Sequence, residues 1–325
     1  MKKQFNPLIK KHARYINSNV VYHVMSKTWG GRYFLAPTDE VNQICTGIVA
    51  RACENFPLIS VYNIATPSNH FHLMMKGPPK EFVNFVAFIK REISRRIGQL
   101  YDLPGSFWSG TFLATALLTE ESVLECFNYI LSQGTKEDLV ERPQDWPGLH
   151  GAKHLMYGTK LQGIWFNGTK YAIAKNRASA LKKPKPVKRA EFIEEKELKL
   201  TPLPQWQEFS TEKRQGLVRD IVSEIITREK ERRQREGKKV LGVKAVKRMN
   251  IFNGKTPPAP PYWEDRRRVI TAWAKLTDRA TQIYLKLYWD YQYRFRLAAD
   301  AFKAGVLDVE FPPGSWRPRL FVSSS

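Results

Sequence analysis

The stretch from Tyr62 to Lys76, YNIATPSNHFHLMMK, decides how the first half of this chain folds. Its first four residues predict the end of one strand, and Thr66-Pro67-Ser68 has the chemistry of a turn. From His70 the side chains alternate, which places His70 and His72 on one face of a second strand and Phe71 on the other. Two imidazoles so placed can bind one metal ion. Such a pair is more often ordinary polar surface or hydrogen-bonded core, so other residues must decide whether it is a metal site.

The segments around this stretch complete a pattern of strands and helices. The predicted strands are Asn19 to Lys27, Leu58 to Ala65, Asn69 to Lys76 and Ser106 to Leu118. The predicted helices begin at Thr38, a candidate N-cap, at Glu81 and at Thr119, and the last two run to Leu100 and Gln133. This order predicts an α+β fold with a ferredoxin-like βαββαβ antiparallel sheet and one added helix.

The positive charge of the chain is concentrated in its second half. The sequence has 53 Lys and Arg against 31 Asp and Glu, a net charge of +22. Residues 1–150 hold 16 basic and 13 acidic residues, whereas residues 151–325 hold 37 and 18. This imbalance indicates a folded unit followed by an extension that binds a polyanion, and nucleic acid is the expected one. A membrane surface is the alternative, but no long basic amphipathic helix has a clean apolar face.

Composition divides the chain into four parts. A basic arm at 1–18 precedes a domain at 19–147, a connecting region at 148–190 and a basic, mainly helical region at 191–325. The connecting region holds a Pro-containing linker, Lys182 to Arg189, which we expect to be extended. Further helices are predicted at Thr211 to Glu236 and at Asp265 to Ala304, where the aromatic side chains should form core with the rest of the C-terminal region. Gly242 to Arg248 resembles part of a small DNA-binding element, although a solvated helix is at least as plausible.

The cysteines indicate a reducing compartment. Cys45, Cys53 and Cys126 lie in apolar or helical surroundings without CxxC spacing, which argues against a disulfide framework or a structural zinc site. No apolar run reaches transmembrane length, and the first residues lack the apolar core of a signal peptide. We therefore expect a cytoplasmic protein.

Two further groups of side chains are candidates for chemistry. Tyr129 and Gln133 lie four residues apart, which places them on one face of the last predicted helix. A core tyrosine and a fraying glutamine would explain them equally simply. The predicted helix from Glu81 carries four cations on its polar face, which suit either solvent or phosphate groups: Lys90, Arg91, Arg95 and Arg96.

Several motifs in residues 15–147 resemble the single-tyrosine HUH transposases, in particular the REP-associated tyrosine transposases (IS200-like). The segment from Tyr22 to Lys27 with the following Trp-Gly-Gly-Arg is similar to the first strand of that family. Asn69-His70-Phe71-His72 is similar to its Asn-His-x-His signature, and Phe107-Trp108 to the aromatic pair before its fourth strand. Tyr129 through Val140, followed by Pro143 to Trp146, is similar to its tyrosine-helix block.

The resemblance implies a specific active site. In that family two histidines and a polar residue one turn past the tyrosine bind a divalent metal, here His70, His72 and Gln133 with Mg²⁺ or Mn²⁺. The tyrosine, here Tyr129, cleaves single-stranded or hairpin DNA and forms a 5′-phosphotyrosine. We expect the DNA-binding side chains to be Asn69, Lys76, Lys90, Arg91, Arg95 and Trp108. Some relatives receive the tyrosine helix from a second subunit, so a homodimer is also compatible with the resemblance.

The chain departs from the family pattern in a few places. Gln133-Gly134 replaces the usual Asn-Pro, and Thr111 stands where an arginine is common, which removes one expected phosphate contact. Two other functions therefore stay open. One is a nucleic-acid-binding module that kept the sheet but does not cleave, since such sheets bind single strands by base stacking. The other is a metal phosphohydrolase that uses water in place of tyrosine.

Overall fold

A four-stranded antiparallel sheet organises the structure, a computed structural model that describes residues 13–180, 186–254 and 278–318. Its strands are β1 (Val21–Lys27), β2 (Ser60–Ala65), β3 (His70–Lys76) and β4 (Leu113–Leu117), and they lie in the order β2-β3-β1-β4. Helices α1 (Asp39–Asn55), α2 (Pro79–Leu100) and α3 (Glu120–Leu131) follow β1, β3 and β4 along the chain. The fold is therefore mixed α and β, with the predicted order of elements.

Helices cover both faces of this sheet, because the strand side chains alternate between two apolar cores. One core joins the sheet to α1 and α2 through Tyr22, Val24, Phe71, Leu73 and Met75. The other joins it to α3 through Val21, Met74 and Leu117. His70 and His72 alternate with Phe71 and Leu73 along β3, so the two imidazoles lie on the α3 side of the sheet.

Side-chain caps set the starts of α1 and α3. Thr38 accepts a hydrogen bond from the Val41 amide at the start of α1, as predicted. Thr119 and Ser122 form a reciprocal capping box at the start of α3. The cysteines are free thiols: Cys45 and Cys126 are buried and Cys53 is half-buried.

The predicted fourth strand is wrong in its first half. We expected a strand from Ser106 to Leu118, but pairing with β1 begins only where Leu113 faces Met25. The residues before it make other bonds: the Trp29 amide donates to Phe107 O and the Ser109 amide to Lys27 O. These two bonds form an isolated antiparallel bridge between Thr28 and Trp108, just beyond the end of β1, which is separate from the regular pairing of β4.

The helix that carries Tyr129 is also shorter than predicted. It ends at Leu131 instead of Gln133, and the chain turns through Gly134 at φ +83°. A Cβ atom on Gly134 would lie 2.7 Å from the Trp146 ring, so this turn requires glycine for both its backbone conformation and its space.

A second, two-stranded sheet was not predicted from the sequence. Strands β5 (Leu161–Phe166) and β6 (Ile193–Leu198) pair antiparallel across the predicted boundary between residues 190 and 191. This two-stranded sheet packs on α1, where Gly47 and Gly163 allow the backbones to approach closely.

The remaining helices of the described residues are α4 (Ala152–Tyr157), α5 (Gly168–Ser179), α6 (Thr211–Glu236), α7 (Val243–Lys247) and α8 (Arg279–Lys303). Short 3₁₀ turns occur at Trp29–Gly31, Pro143–Asp145, Arg189–Phe192 and Pro204–Trp206. The predicted bounds of α6 are confirmed. Parts of the predicted arm, linker and aromatic helix, including Trp273, lie outside the described residues.

The aromatic helix packs only partly as expected. Phe295 and Phe302 contact Phe311 within the C-terminal region. The N-terminal part of α8 instead packs on the start of the chain. The Tyr284 ring lies 5.3 Å from the Tyr15 ring, and the Tyr284 and Tyr22 hydroxyls are 3.3 Å apart. Gln292 also exchanges two hydrogen bonds with the backbone of Ala13. Tyr284 of α8 is therefore buried against the N-terminal part of the described chain.

None of the helices within the described ranges combines the length and the apolarity that crossing a bilayer requires.

Candidate active site

Strand β3 holds both histidines of the Asn-His-x-His signature. The His70 and His72 rings lie 4.6 Å apart, nearly perpendicular to each other. His72 is fully buried, and His70 is half-buried at the end of the strand. Phe71, between them, is anchored in the opposite core. The alternation of the strand therefore fixes both imidazoles on one side.

The end of α3 brings Tyr129 and Gln133 to the same place. The Tyr129 ring centre lies 5.5 Å from that of His72 and 5.9 Å from that of His23 on β1. The Gln133 amide nitrogen donates to the Tyr129 carbonyl at 3.1 Å, and its side chain faces both His70 and His72. The four residues named from the sequence thus converge within one chain.

Two atoms at the centre of this cluster suit a metal ion. His72 Nε2 and Gln133 Oε1 are both buried without a hydrogen-bond partner, and both carry lone pairs when they act as ligands. In the described part of the chain, no group of three His, Cys, Asp or Glu side chains is arranged to hold a metal. The third donor beside His70 and His72 would be the Gln133 amide oxygen, so the donor set fits a divalent ion.

Burial keeps the imidazoles uncharged. It lowers the pKa of His70 to about 3, with smaller effects from the cations of Lys27 and Lys136. It also lowers the pKa of His72 well below its usual value, and His70 and His23 add to that effect. Metal ligation requires the neutral imidazole, so these environments favour it.

Asn69 supports the site in a way that the sequence did not indicate. Its side-chain oxygen lies 2.6 Å from His70 Nδ1, and its amide nitrogen donates to Gly31 O at 3.2 Å. An amide oxygen only accepts, so His70 carries its proton on Nδ1 and keeps the Nε2 lone pair. Asn69 therefore orients His70; a DNA contact for it stays a prediction.

Two residues of the cluster were missed in the sequence analysis. His23 lies behind His72, with His23 Nε2 2.8 Å from His72 Nδ1. Burial, with a smaller effect from Lys136, lowers the pKa of His23 to about 4. Lys136 places its ammonium 3.3 Å from the centre of the Tyr129 ring. The alternation of β1 could have identified His23, whereas Lys136 depends on the turn after α3.

A cleft leads to Tyr129 from the surface. It has a volume of about 590 Å³ and lies between α3 and α6, with Asn128, Tyr129, Lys136 and Arg228 among its lining residues. The cleft gives a long substrate a route to the tyrosine, and two cations line it together with the carboxylates of Glu125 and Glu224.

Helix α6 holds the turn that carries Gln133 and Lys136. Arg232 pairs with the Asp138 carboxylate and donates to the Lys136 carbonyl at 3.2 Å. Arg233 is buried and donates to the Thr135 carbonyl at 3.3 Å. The C-terminal region thus forms part of the support of the site.

Four of the predicted DNA-binding side chains lie away from the cluster. Lys90, Arg91 and Arg95 are on α2, across the sheet from the histidines, and Arg91 and Arg95 pair with the buried Glu92. Lys76 is at the far end of β3, about 20 Å from His70 at the usual rise of a strand. Their contact with DNA stays a prediction.

Trp108 is also on the α2 side of the sheet. Its ring packs edge-on against Phe71, and its indole nitrogen donates to the Lys90 carbonyl at 2.9 Å. The Lys90 ammonium in turn donates to Gly110 O at 2.6 Å. These contacts give Trp108 a packing role next to the strand of the histidines.

Comparison with known proteins found similarity only at the level of structure. No family model matches the chain, and no curated protein matches it. Among solved structures, it is similar to a REP-associated tyrosine transposase bound to a REP hairpin, with 16% identity and a TM-score of 0.37 over 43% of this chain and 81% of that one. It is also similar to a Deinococcus radiodurans R1 protein assigned as a transposase, with 19% identity and a TM-score of 0.27 over 38% of this chain and 98% of that one.

Proposed function

We propose that this protein is a metal-dependent tyrosine transposase or nuclease that cleaves and rejoins single-stranded hairpin DNA through a 5′-phosphotyrosine. The observation that carries the proposal is the position of Tyr129, whose ring centre lies 5.5 Å from that of His72, beside two buried lone-pair donors without partners. A nucleophile next to a site for a divalent ion is what phosphodiester cleavage by tyrosine requires.

In this proposal Tyr129 is the nucleophile. Its hydroxyl oxygen attacks the phosphorus atom, the bond between phosphorus and the 3′ oxygen breaks, and the 5′ phosphate becomes linked to the tyrosine. The phenol loses one proton and the departing 3′ oxygen gains one, so the step is balanced. A later attack by a 3′-hydroxyl reverses it, and joining needs no added energy source because the phosphotyrosine preserves the phosphodiester bond energy.

The neighbouring side chains address the main barrier of this step. A phenol has a pKa of about 10 and is a poor nucleophile near neutral pH. His70, His72 and Gln133 would hold Mg²⁺ or Mn²⁺, which leaves coordination positions for phosphate oxygens. When bound, the ion polarises the scissile phosphate and neutralises the charge that develops on it. Lys136 adds a fixed positive charge beside the attacking ring.

We also assign the sheet to the ferredoxin-like arrangement. The strand order β2-β3-β1-β4, with α1 between β1 and β2 and α2 between β3 and β4, supports this assignment. Hairpin DNA as the partner follows from the resemblance and from the excess of basic residues after residue 150.

Labelled DNA tests the proposal. Hairpin oligonucleotides labelled at either end are incubated with the full chain and Mn²⁺ and then separated on a denaturing protein gel. We expect a covalent adduct with the wild type and none with Tyr129→Phe, which removes only the hydroxyl. Cleavage without an adduct would instead indicate a phosphohydrolase, and binding without cleavage would indicate a nucleic-acid-binding module.

A further inference from the structure

The third imidazole of the site, His23, is placed to act on His72. His23 Nε2 lies 2.8 Å from His72 Nδ1, and the two rings are stacked at 19° with their centres 5.0 Å apart. His23 is 7% exposed and His72 is fully buried. The hydrogen bond between them is therefore shielded from water.

The contact repeats the arrangement at the other histidine. Asn69 Oδ1 is hydrogen-bonded to Nδ1 of His70 at 2.6 Å, and His23 Nε2 is hydrogen-bonded to Nδ1 of His72. In both cases Nε2 is left to act as a ligand, and His72 Nε2 is buried without a hydrogen-bond partner. Metal-binding histidines in proteins usually donate their second ring N–H to a neighbouring acceptor in this way.

We propose that His23 is a positioning residue that accepts the Nδ1 proton of His72 and so keeps the Nε2 lone pair of His72 available to a divalent ion. This inference rests on the proposed function, because it requires a metal at His70, His72 and Gln133. His23 is not itself a ligand, since its nitrogen on the side of the site is already bonded to His72.

The chemical argument concerns the other tautomer of His72. With its proton on Nε2, His72 would donate toward the Gln133 side chain, and neither group would be free to bind a metal. Ligation by Nε2 requires the proton on Nδ1, where a buried N–H without an acceptor is unfavourable. His23 supplies that acceptor. Removing it should weaken metal binding about 10- to 100-fold, as for other residues that support metal ligands.

Mn²⁺ binding to the full chain tests the role of His23. The dissociation constant is measured by titration with Mn²⁺ under electron paramagnetic resonance, beside the melting temperature of the metal-free protein. His23→Phe keeps the ring but removes the acceptor, whereas His23→Gln places an amide oxygen near the position of Nε2. We expect His23→Phe to weaken binding about 10- to 100-fold and His23→Gln to restore most of it. Equal affinity in wild type and His23→Phe would overturn the inference.

Two further variants separate this inference from the proposed function. If the wild type does not bind Mn²⁺, or if His72→Ala and Gln133→Ala bind it unchanged, the metal site itself is wrong and both proposals fail. If those variants lose binding while His23→Phe keeps it, only the role of His23 fails.

Nitrogen NMR gives a reading that does not depend on any variant. Long-range ¹H–¹⁵N spectra of the wild type with Mg²⁺ identify which nitrogen of His72 carries the proton. The proposal requires the proton on Nδ1. A proton on Nε2 in the Mg²⁺-loaded protein would overturn it.

Discussion

At the residue scale, the site is built from side chains whose second polar atom is already engaged. The Gln133 amide nitrogen is bonded to the Tyr129 carbonyl, which leaves its oxygen for a ligand. Asn69 does the same for His70. Orientation of this kind costs little at the moment of binding, because the side chains are held before the ligand arrives.

Lys136 should affect catalysis and metal binding in opposite directions. Lys136→Met removes the charge beside the Tyr129 ring and should slow cleavage about 100-fold, as for the loss of one charge-stabilising group. The same change removes a cation that disfavours positive charge at the histidines, so Mn²⁺ should bind as tightly or more tightly. Single-turnover cleavage and Mn²⁺ titration measure the two effects.

Two variants serve as controls for Lys136. One keeps the positive charge at this position, and the other removes a positive charge at a different position. Lys136→Arg retains the cation and should keep most of the cleavage rate, and replacement of the exposed Lys153 on α4 by Met should leave it unchanged. Weaker Mn²⁺ binding in Lys136→Met would contradict this role, because it would indicate damage to the metal site.

His150 should contribute to acid sensitivity of the fold. Burial lowers its pKa to about 4, against about 6.5 for an unfolded histidine, and its Nδ1 accepts from the Ala152 amide. The unfolded chain therefore binds more protons between these values, and stability falls as pH drops from 6.5 toward 4. The full difference corresponds to about 3 kcal/mol.

A substitution at this position isolates that contribution. His150→Asn keeps an acceptor for Ala152 but cannot gain a proton, so urea unfolding of the variant should depend less on pH between 6.5 and 4. An unchanged pH dependence, measured relative to each protein at pH 8, would show that His150 is not the group responsible.

The motifs and the family resemblance named His70, His72, Tyr129 and Gln133 as candidates, but they did not indicate how these side chains are oriented. Alternation in β3 and a spacing of four residues before a glycine are local patterns, which a sequence displays directly. His23 acts on a residue of another strand, Lys136 acts across a turn, and Asn69 acts on the next residue through its side chain. Their roles depend on which nitrogen faces which atom, and spacing alone does not determine that.

At the element scale, the two-stranded β5–β6 sheet depends on close contact with α1. A Cβ atom at Gly47 would overlap the Ile164 carbonyl oxygen, so Gly47→Ala should force β5 away from α1. We expect a loss of about 1–3 kcal/mol in unfolding free energy from overpacking. Urea denaturation followed by circular dichroism measures it.

Gly98 in α2 provides a matched control for Gly47. Nothing lies within 4 Å of a Cβ built there, so Gly98→Ala should be neutral or stabilising by up to about 1 kcal/mol through helix propensity. Equal effects of the two substitutions would contradict the close approach of α1 and β5.

The elements differ in how far the sequence could predict them. The bounds of α6 were predicted correctly because its ends carry Ser210 as an N-cap and Gly237 in a left-handed conformation. The β5–β6 sheet was missed because α5 separates its two strands along the chain and because β6 is largely charged. Strand pairing of that kind is decided by packing on α1 and not by local pattern.

At the scale of the whole molecule, the C-terminal region is both a support and a source of charge. Helix α6 braces the turn of Gln133 and Lys136, and α8 packs on Tyr15 and Tyr22. The division of the chain by composition did not predict that α8 packs on the N-terminal residues. Composition shows that aromatic side chains are present, but not which distant part of the chain buries them. Removing the region should therefore disturb the site as well as reduce charge.

The charge of this region should appear as salt dependence of DNA binding. If about six phosphates are neutralised, affinity for a hairpin should fall about 10³-fold between 50 and 200 mM salt. Replacing the exposed Lys230, Arg235 and Lys239 by Gln should reduce the slope of log affinity against log salt by up to about 3, at unchanged melting temperature. An unchanged slope would mean that the end of α6 and the residues just after it do not contact phosphates.

The identity of the nucleophile is tested most directly by mass spectrometry of the trapped adduct. After reaction with hairpin DNA and Mn²⁺, the protein is denatured, treated with nuclease and digested with trypsin, which releases residues 97–136 as one peptide with Tyr101 as an internal control. We expect a nucleotide linked by its 5′ phosphate to Tyr129 and an unmodified Tyr101. Attachment at any other residue, or complete cleavage of the DNA with an unmodified Tyr129 throughout the time course, would contradict the proposed mechanism.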